Sequence, residues 1–290
     1  MTAQGYELAV DVRGLRKRYR GLTAVDGIDL GIRRGEVFGL LGPNGAGKST
    51  TVEILQGNRD RDAGEVSVLG SDPGAGTRAW RSRVGIVWQD ESATAELTVR
   101  DTVRHFARYY PRPRDPEEVI GLVGLEAGAD SRIKALSGGR RRRLDLALGV
   151  IGGPDLPLLD EPTTGFDPAA RRQFWSLIRV LADEGTTIVL TTHYLEEAEA
   201  LVHRPAVVAK GRIVAEGEPG VLRERYGTEA TVAWTEPDGS PRAMRTGTPS
   251  RTVADLMGRF GGEVPGLTVA RPTLEDVYLR LTGQSQEETP

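Results

Sequence analysis

LLGPNGAGKSTT, residues 40–51, carries from Gly42 to Ser49 the spacing of glycine, four residues, glycine, lysine and serine or threonine that marks a phosphate-binding P-loop. EVFGLL (36–41) leads into it as a short apolar strand, and KSTTVEILQ (48–56) follows as a helix closed by Gly57. Strand, loop and helix is the context that such a loop requires. Gly42, Gly45 and Gly47 free the backbone to turn its N–H groups toward phosphate oxygens, with Pro43, Asn44 and Ala46 between them. The helix start, from Lys48 through Ser49 to Thr50, adds its dipole and unpaired donors. Lys48 supplies a point charge for β and γ phosphates, and Ser49 a hydroxyl ligand for Mg²⁺.

Two more strands bring chemistry to the same end of a sheet. LPLLDEP (156–162) is an apolar run ending in adjacent acids, and ligands bind at the carboxyl ends of strands in open α/β sheets. Asp160 is suited to the Mg²⁺ shell, and Glu161 to orienting or deprotonating an attacking water. TTIVLTTH (186–193) is a β-branched strand ending at His193, 33 residues beyond Asp160. Pro157 is unusual in such a run because it lacks a ladder donor, and is expected at the strand's first residue.

LSGGR at 136–140, placed between the P-loop and these acids, makes residues 6–220 resemble the ATP-binding cassette (ABC) ATPases, whose signature is LSGGQ. The resemblance implies ATP and Mg²⁺ as ligands. It implies that Tyr19 stacks on adenine and that Gln89 reaches Mg²⁺ and the attacking water. Ser137, Gly138 and Gly139 would open a helix onto the γ-phosphate held by a second protomer, with Ser137 a natural N-cap. His193 would contact the γ-phosphate, and Asp167 would cross the dimer interface. Arg140 departs from the family's glutamine and either touches nucleotide or replaces it harmlessly. Arg141 to Arg143 read as a solvated basic face, and His105 and His203 as structural residues.

Composition narrows the classes. A net charge of −3 and a pI near 5.8 point away from a nucleic-acid-binding surface. No stretch approaches the 18 apolar residues of a membrane span, and MTAQGYELAV lacks the features of a signal peptide, so any membrane role is expected to come through a partner. The absence of cysteine excludes disulfides and thiolate metal sites. Lysine occupies only positions 17, 48, 134 and 210, so Lys48 stands out in an arginine-rich chain.

The expected fold class is α/β: a P-loop ABC cassette at 6–221, plus a small C-terminal α/β domain at 222–283 and a disordered tail at 284–290. The cassette would combine a mixed core sheet, an antiparallel β subdomain from residues 6–33 and a helical signature subdomain at about 98–150. PAVVAKGRIVAEG (205–217) reads as a hairpin turned at Lys210-Gly211, and VGIVWQ (84–89) as a buried strand. TVAWTEPDG, TVADLMGRF and GLTVARPTLEDVYLRLTG read as strand, helix, and strand running into a terminal helix.

Eighty-nine residues separate Lys48 from Ser137, too few for the long coiled coil of chromosome-maintenance and DNA-repair relatives. RPTLEDVYLRLTG (271–283) resembles the ending of ATPases that pair with ABC-2 type permeases, among them drug exporters of the daunorubicin type. The expected protein is an ATPase on the cytoplasmic face of a bacterial membrane, forming a homodimer, or a heterodimer with a second cassette, on an ABC-2 type permease. Its cargo is expected to be a drug, antibiotic or other small amphipathic molecule. A lipid or polysaccharide exporter, and an ABC ATPase with no permease, are the alternatives.

Overall fold

The computed structural model describes residues 7–87, 96–227 and 229–283. Gln89 and the tail at 284–290 lie outside the described residues. The chain divides into two compact units between Glu216 and Gly217.

The first unit opens with the alternating stretch. β1 (Leu8–Tyr19) and β2 (Leu22–Arg33) pair antiparallel, and their alternate residues Val10, Val12, Ile28, Leu30 and Ile32 are buried. β3 (Val37–Leu41) and α1 (Lys48–Leu55) flank the glycine-rich loop. β4 (Ala63–Val68) returns to the far side of β1, giving an antiparallel sheet in the order β2-β1-β4. The short α2 (Arg78–Arg81) precedes β5 (Val84–Val87). A helical region follows, with α3 (Val99–Ala107), α4 (Pro116–Leu122) and α5 (Gly138–Val150). Thr98 and Asp115 cap the first two of these, each accepting backbone N–H bonds. The unit then alternates β6 (Leu156–Asp160), α6 (Pro168–Asp183), β7 (Ile188–Thr192) and α7 (Leu195–Leu201), and closes with the hairpin β8 (Arg204–Ala209) and β9 (Arg212–Glu216).

The larger sheet runs β5-β6-β7-β3-β8-β9, parallel except for β9. β3 and β7 are buried at every residue, as continuous apolar strands in a parallel sheet must be. Burial of each large side chain, Phe38, Leu40 and Leu41 among them, contributes roughly 1.5–3 kcal/mol. Because β6, β7 and β3 are adjacent and parallel, the loops that follow all three emerge at one edge. Lys210 and Gly211, with φ of 49° and 76°, make the left-handed two-residue turn of a tight hairpin.

Pro157 is the second residue of β6 rather than the first. Leu156 donates toward β5, to the Arg83 carbonyl, so the nitrogen of residue 157 faces β7. Asp155 already accepts from the Thr187 N–H of that neighbouring chain segment at 3.3 Å, and the paired ladder with β7 begins at Leu158 and Val189, just beyond the residue that lacks a donor.

The second unit holds α8 (Pro219–Tyr226), β10 (Ala230–Thr235), β11 (Pro241–Thr246), α9 (Pro249–Phe260), β12 (Thr268–Ala270) and α10 (Leu274–Thr282). Its antiparallel sheet runs β11-β10-β12, and Val232, Leu256 and Val264 form its small core with Trp234, Phe260 and Leu267 against them. The reading of this region lacked α8 and β11. Residue 222, where composition shifts, lies inside α8 and not between units. The residues of β11 are all exposed or nearly so, hence no apolar alternation announces it.

Candidate active site

After β3 the backbone passes close to its neighbours, which explains two of the glycines. A Cβ at Gly42 would lie 2.4 Å from the Val208 carbonyl oxygen, and one at Gly47 would lie 2.2 Å from that of Ala24. The sequence reading gives Gly47 a backbone freedom that serves phosphate, and the fold adds a packing demand to it. Gly47 is buried at the N-cap of α1 with a φ of 105°, so packing against β2 demands glycine before any ligand does. Its carbonyl is committed to α1, accepting from the Thr51 N–H at 3.0 Å and the Thr51 hydroxyl at 2.8 Å. Gly45 has open space around it but a φ of 77°, so its requirement is conformational. Lys48 is 4% exposed, and its Nζ donates to the carbonyls of Gly42 (2.8 Å) and Pro43 (3.2 Å). Burial pushes its pKa below the ordinary lysine value, while the carboxylates of Glu161 and Asp160 pull it back.

Around Lys48 the ends of β6 and β7 converge. Glu161 Oε1 lies 3.7 Å from Lys48 Nζ. Ser49 Oγ donates to Asp160 Oδ1 at 3.2 Å, and Thr191 Oγ1 donates to the same oxygen at 2.5 Å. The Glu161 backbone N–H in turn donates to Thr191 Oγ1 at 2.9 Å, so one hydroxyl orders both acids. His193 Nδ1 stands 3.4 Å from Glu161 Oε2, and its ring is 4.1 Å from that of Tyr194. Glu161 holds a φ of 44°, a left-handed conformation that costs a non-glycine residue about 1–3 kcal/mol and persists only where the surroundings enforce it.

Thr191 is a site residue that the sequence reading missed. Its signal is the first threonine of LTTH, one strand away from the acids and buried. Thr191→Val keeps the shape but strands the Glu161 N–H and removes a donor from Asp160. We expect a loss of about 1–3 kcal/mol in stability and a fall in turnover of roughly tenfold, read by thermal melting and steady-state kinetics. Unchanged turnover would refute a role for Thr191 in ordering the acids.

The remaining expected residues lie in three other places. Ser137 occupies the N-cap position of α5, but its hydroxyl makes no capping bond. A Cβ at Gly138 or Gly139 would meet nothing within 4 Å, so this helix start faces open space. A cleft of about 500 Å³ is lined by Gly138, Gly139, Arg142, Glu161 and Thr164. Among the described residues, no hydrogen bond or ion pair joins Ser137, Gly138 or Gly139 to residues 42–49. Tyr19 is half-buried at the end of β1 with the Arg59 guanidinium 5.3 Å from its ring centroid, and Arg59 pairs with Glu53 on α1. Asp167 caps α6, accepting from the Ala170 N–H at 2.7 Å, and such backbone donors hold its carboxyl below the usual range.

The solvated basic face expected for Arg141 to Arg143 is not what the structure has. Arg142 is half-buried and donates to the carbonyls of Asp160, Glu161 and Pro162, and Arg143 donates to the Gly124 carbonyl at 3.1 Å. Arg140, by contrast, is exposed. The first turn of α5 faces protein backbone on one side and solvent on the other, which a run of four arginines does not reveal.

Residues 25–164 match the family model described as ABC transporter. Across nearly its whole length the chain is similar to proteins called Nod factor export ATP-binding protein I. That of Rhizobium sp. (strain N33) is 39% identical over 305 residues, covering 97% of this chain and 99% of its own. That of Burkholderia pseudomallei (strain 1710b) is 40% identical over 300 residues, covering 95% and 97%. The chain belongs to the ABC transporter family. It is an ATP-binding cassette and an ATPase, with the α/β fold expected. A solved ATP-binding subunit of an ABC transporter aligns with a TM-score of 0.68 at 25% identity, over 76% of this chain and 94% of that one. A dimeric cassette solved with ADP and phosphate after hydrolysis shares the fold, with a TM-score of 0.65 at 24% identity, over 72% and 98%. Among the described residues, no helix of this ABC cassette is long and apolar enough to cross a membrane.

Proposed function

We propose that this cassette powers an ABC-2 type exporter from the cytoplasmic face of the membrane, as a dimer with two ATP sites shared between subunits. The observation that carries the catalytic part is the convergence of Lys48, Ser49, Asp160, Glu161 and His193 on one sheet edge. Lys48 and the loop amides neutralise charge on the transferring phosphoryl group, and Glu161 with His193 places the attacking water in line. The hydroxyl of Ser49 and the carboxylate of Asp160 are hard oxygen donors 3.2 Å apart, which suits Mg²⁺. Held there, such an ion would supply positive charge to offset the charge on the phosphate groups. Gln89 is assigned to the same shell by resemblance.

The Ser137 hydroxyl without a capping bond and the open glycines at 138 and 139 support an anion site at the start of α5, which among the described residues no hydrogen bond or ion pair joins to residues 42–49. A second cassette supplies that phosphate in the proposed dimer, with Tyr19 stacking on adenine and Asp167 near the partner. Export as the direction of transport is supported by the names of relatives that span the whole chain. Cargo selection belongs to the permease.

The test is co-expression with a candidate ABC-2 permease, followed by ATP-driven uptake into inside-out vesicles. We expect the chain to co-purify with the permease and ATP turnover to rise several-fold in the complex. A cassette that never associates with such a permease, yet remodels a soluble macromolecule with ATP, would contradict the exporter reading.

A further inference from the structure

Glu161 sits in a conformation that its own side chain disfavours, so something must impose it. Its N–H is held by Thr191 Oγ1, which restrains one side of the residue only. On the other side its carbonyl accepts from the Thr164 N–H at 3.3 Å and is also held from α5. Arg142 Nη2 donates to the Asp160 carbonyl at 3.1 Å and to the Glu161 carbonyl at 3.3 Å, and its Nε donates to the Pro162 carbonyl at 3.3 Å. One guanidinium thus grips three consecutive carbonyls, centred on the left-handed residue. A planar fork of fixed N–H directions defines such an arc as a single point charge does not. Arg142 is half-buried there, and that burial pulls its pKa below its ordinary value against the attraction of Asp145 and Asp160.

Arg142 stands five residues into the segment that starts at Ser137, in the first turns of the helix whose open end carries the signature glycines. Arg142 and Glu161 line the same cleft as Gly138 and Gly139. We propose that Arg142 is a positioning residue that sets the backbone at Glu161, and so aims its carboxylate, from the helix bearing the signature. In a dimer, that helix answers to the neighbouring ATP while Glu161 serves the chain's own. The bond therefore links the two sites within one subunit. This inference rests on the assignment of Glu161 as the residue that places the water.

A double-mutant cycle in the full-length chain tests it, with single-turnover hydrolysis of radiolabelled ATP and ATP affinity measured side by side. Arg142→Gln should slow hydrolysis at least about tenfold with ATP affinity within about threefold, since the ATP-binding loop is untouched. Arg142→Lys, which keeps the charge but not the fork, should fall between. In a Glu161→Gln background, Arg142→Gln should cost nothing further, because residues acting as a unit are not additive. An equal loss in both backgrounds would overturn the proposal, as would a loss of affinity that matches the loss of rate. Should Arg142→Gln fail to fold, the lysine variant carries the same cycle with a smaller expected loss. Near-normal hydrolysis by Glu161→Gln alone would instead remove the underlying assignment, and is read separately.

Discussion

Glu161→Gln is expected to slow ATP hydrolysis about 100-fold or more, the usual contribution of a positioned general base, with ATP still bound. The substitution is close to isosteric. It leaves the bond from the residue-161 N–H to Thr191 and the grip of Arg142 on the carbonyl, because both involve backbone atoms. What it removes is a negative charge 3.7 Å from Lys48 Nζ and 3.4 Å from His193 Nδ1. Losing that charge frees Lys48 for phosphate and deprives the water of its base. Binding should therefore hold or tighten while chemistry stalls, so the protein accumulates in its ATP-bound, dimeric state. Turnover within a few-fold of the unsubstituted protein, in complex with its permease, would reject Glu161 as the water-positioning residue.

Much of this site was legible because its parts are short runs whose spacing is dictated by local geometry. The loop at 42–49 needs glycine where a side chain would strike Val208 or Ala24, and that need is written as GPNGAGKS. The pattern does not say which neighbour each glycine avoids, so the packing of Gly47 on β2 emerged only with the fold. The buried strands β3, β6 and β7 are uninterrupted apolar runs, so Asp160 and His193 could be placed at strand ends before their distances were known. Thr191 and Arg142 were not legible for the opposite reason. Their partners are 31 and 18–20 residues away, and each was one of several identical neighbours, in LTTH and RRRR. Which arginine turns inward depends on the phase of α5 against β6, a tertiary fact with no local trace. The second unit was half-read for a similar reason. β11 is exposed along its length, so its pairing with β10 leaves no pattern of alternation.

The central claim is that neither subunit owns a complete ATP site. Lys48 sits in a loop proposed to hold phosphate from one side, while the helix start at Gly138 and Gly139 opens onto space and Ser137 makes no side-chain capping bond. A subunit with Lys48→Ala loses its loop cation, and one with Ser137→Arg blocks its helix start, so each variant alone should be inactive. In a mixed dimer the intact loop of one meets the intact helix start of the other. With free exchange, half the dimers are mixed and each carries one sound site, so about a quarter of normal activity should return if sites work independently. The decisive measurement is occluded ATP per dimer after mixing the two variants, each also carrying Glu161→Gln so that bound ATP is not hydrolysed, with subunit exchange followed by energy transfer between labels. The shared-site account predicts one trapped ATP in each mixed dimer and none in either parent. Full exchange with no trapped ATP would contradict it.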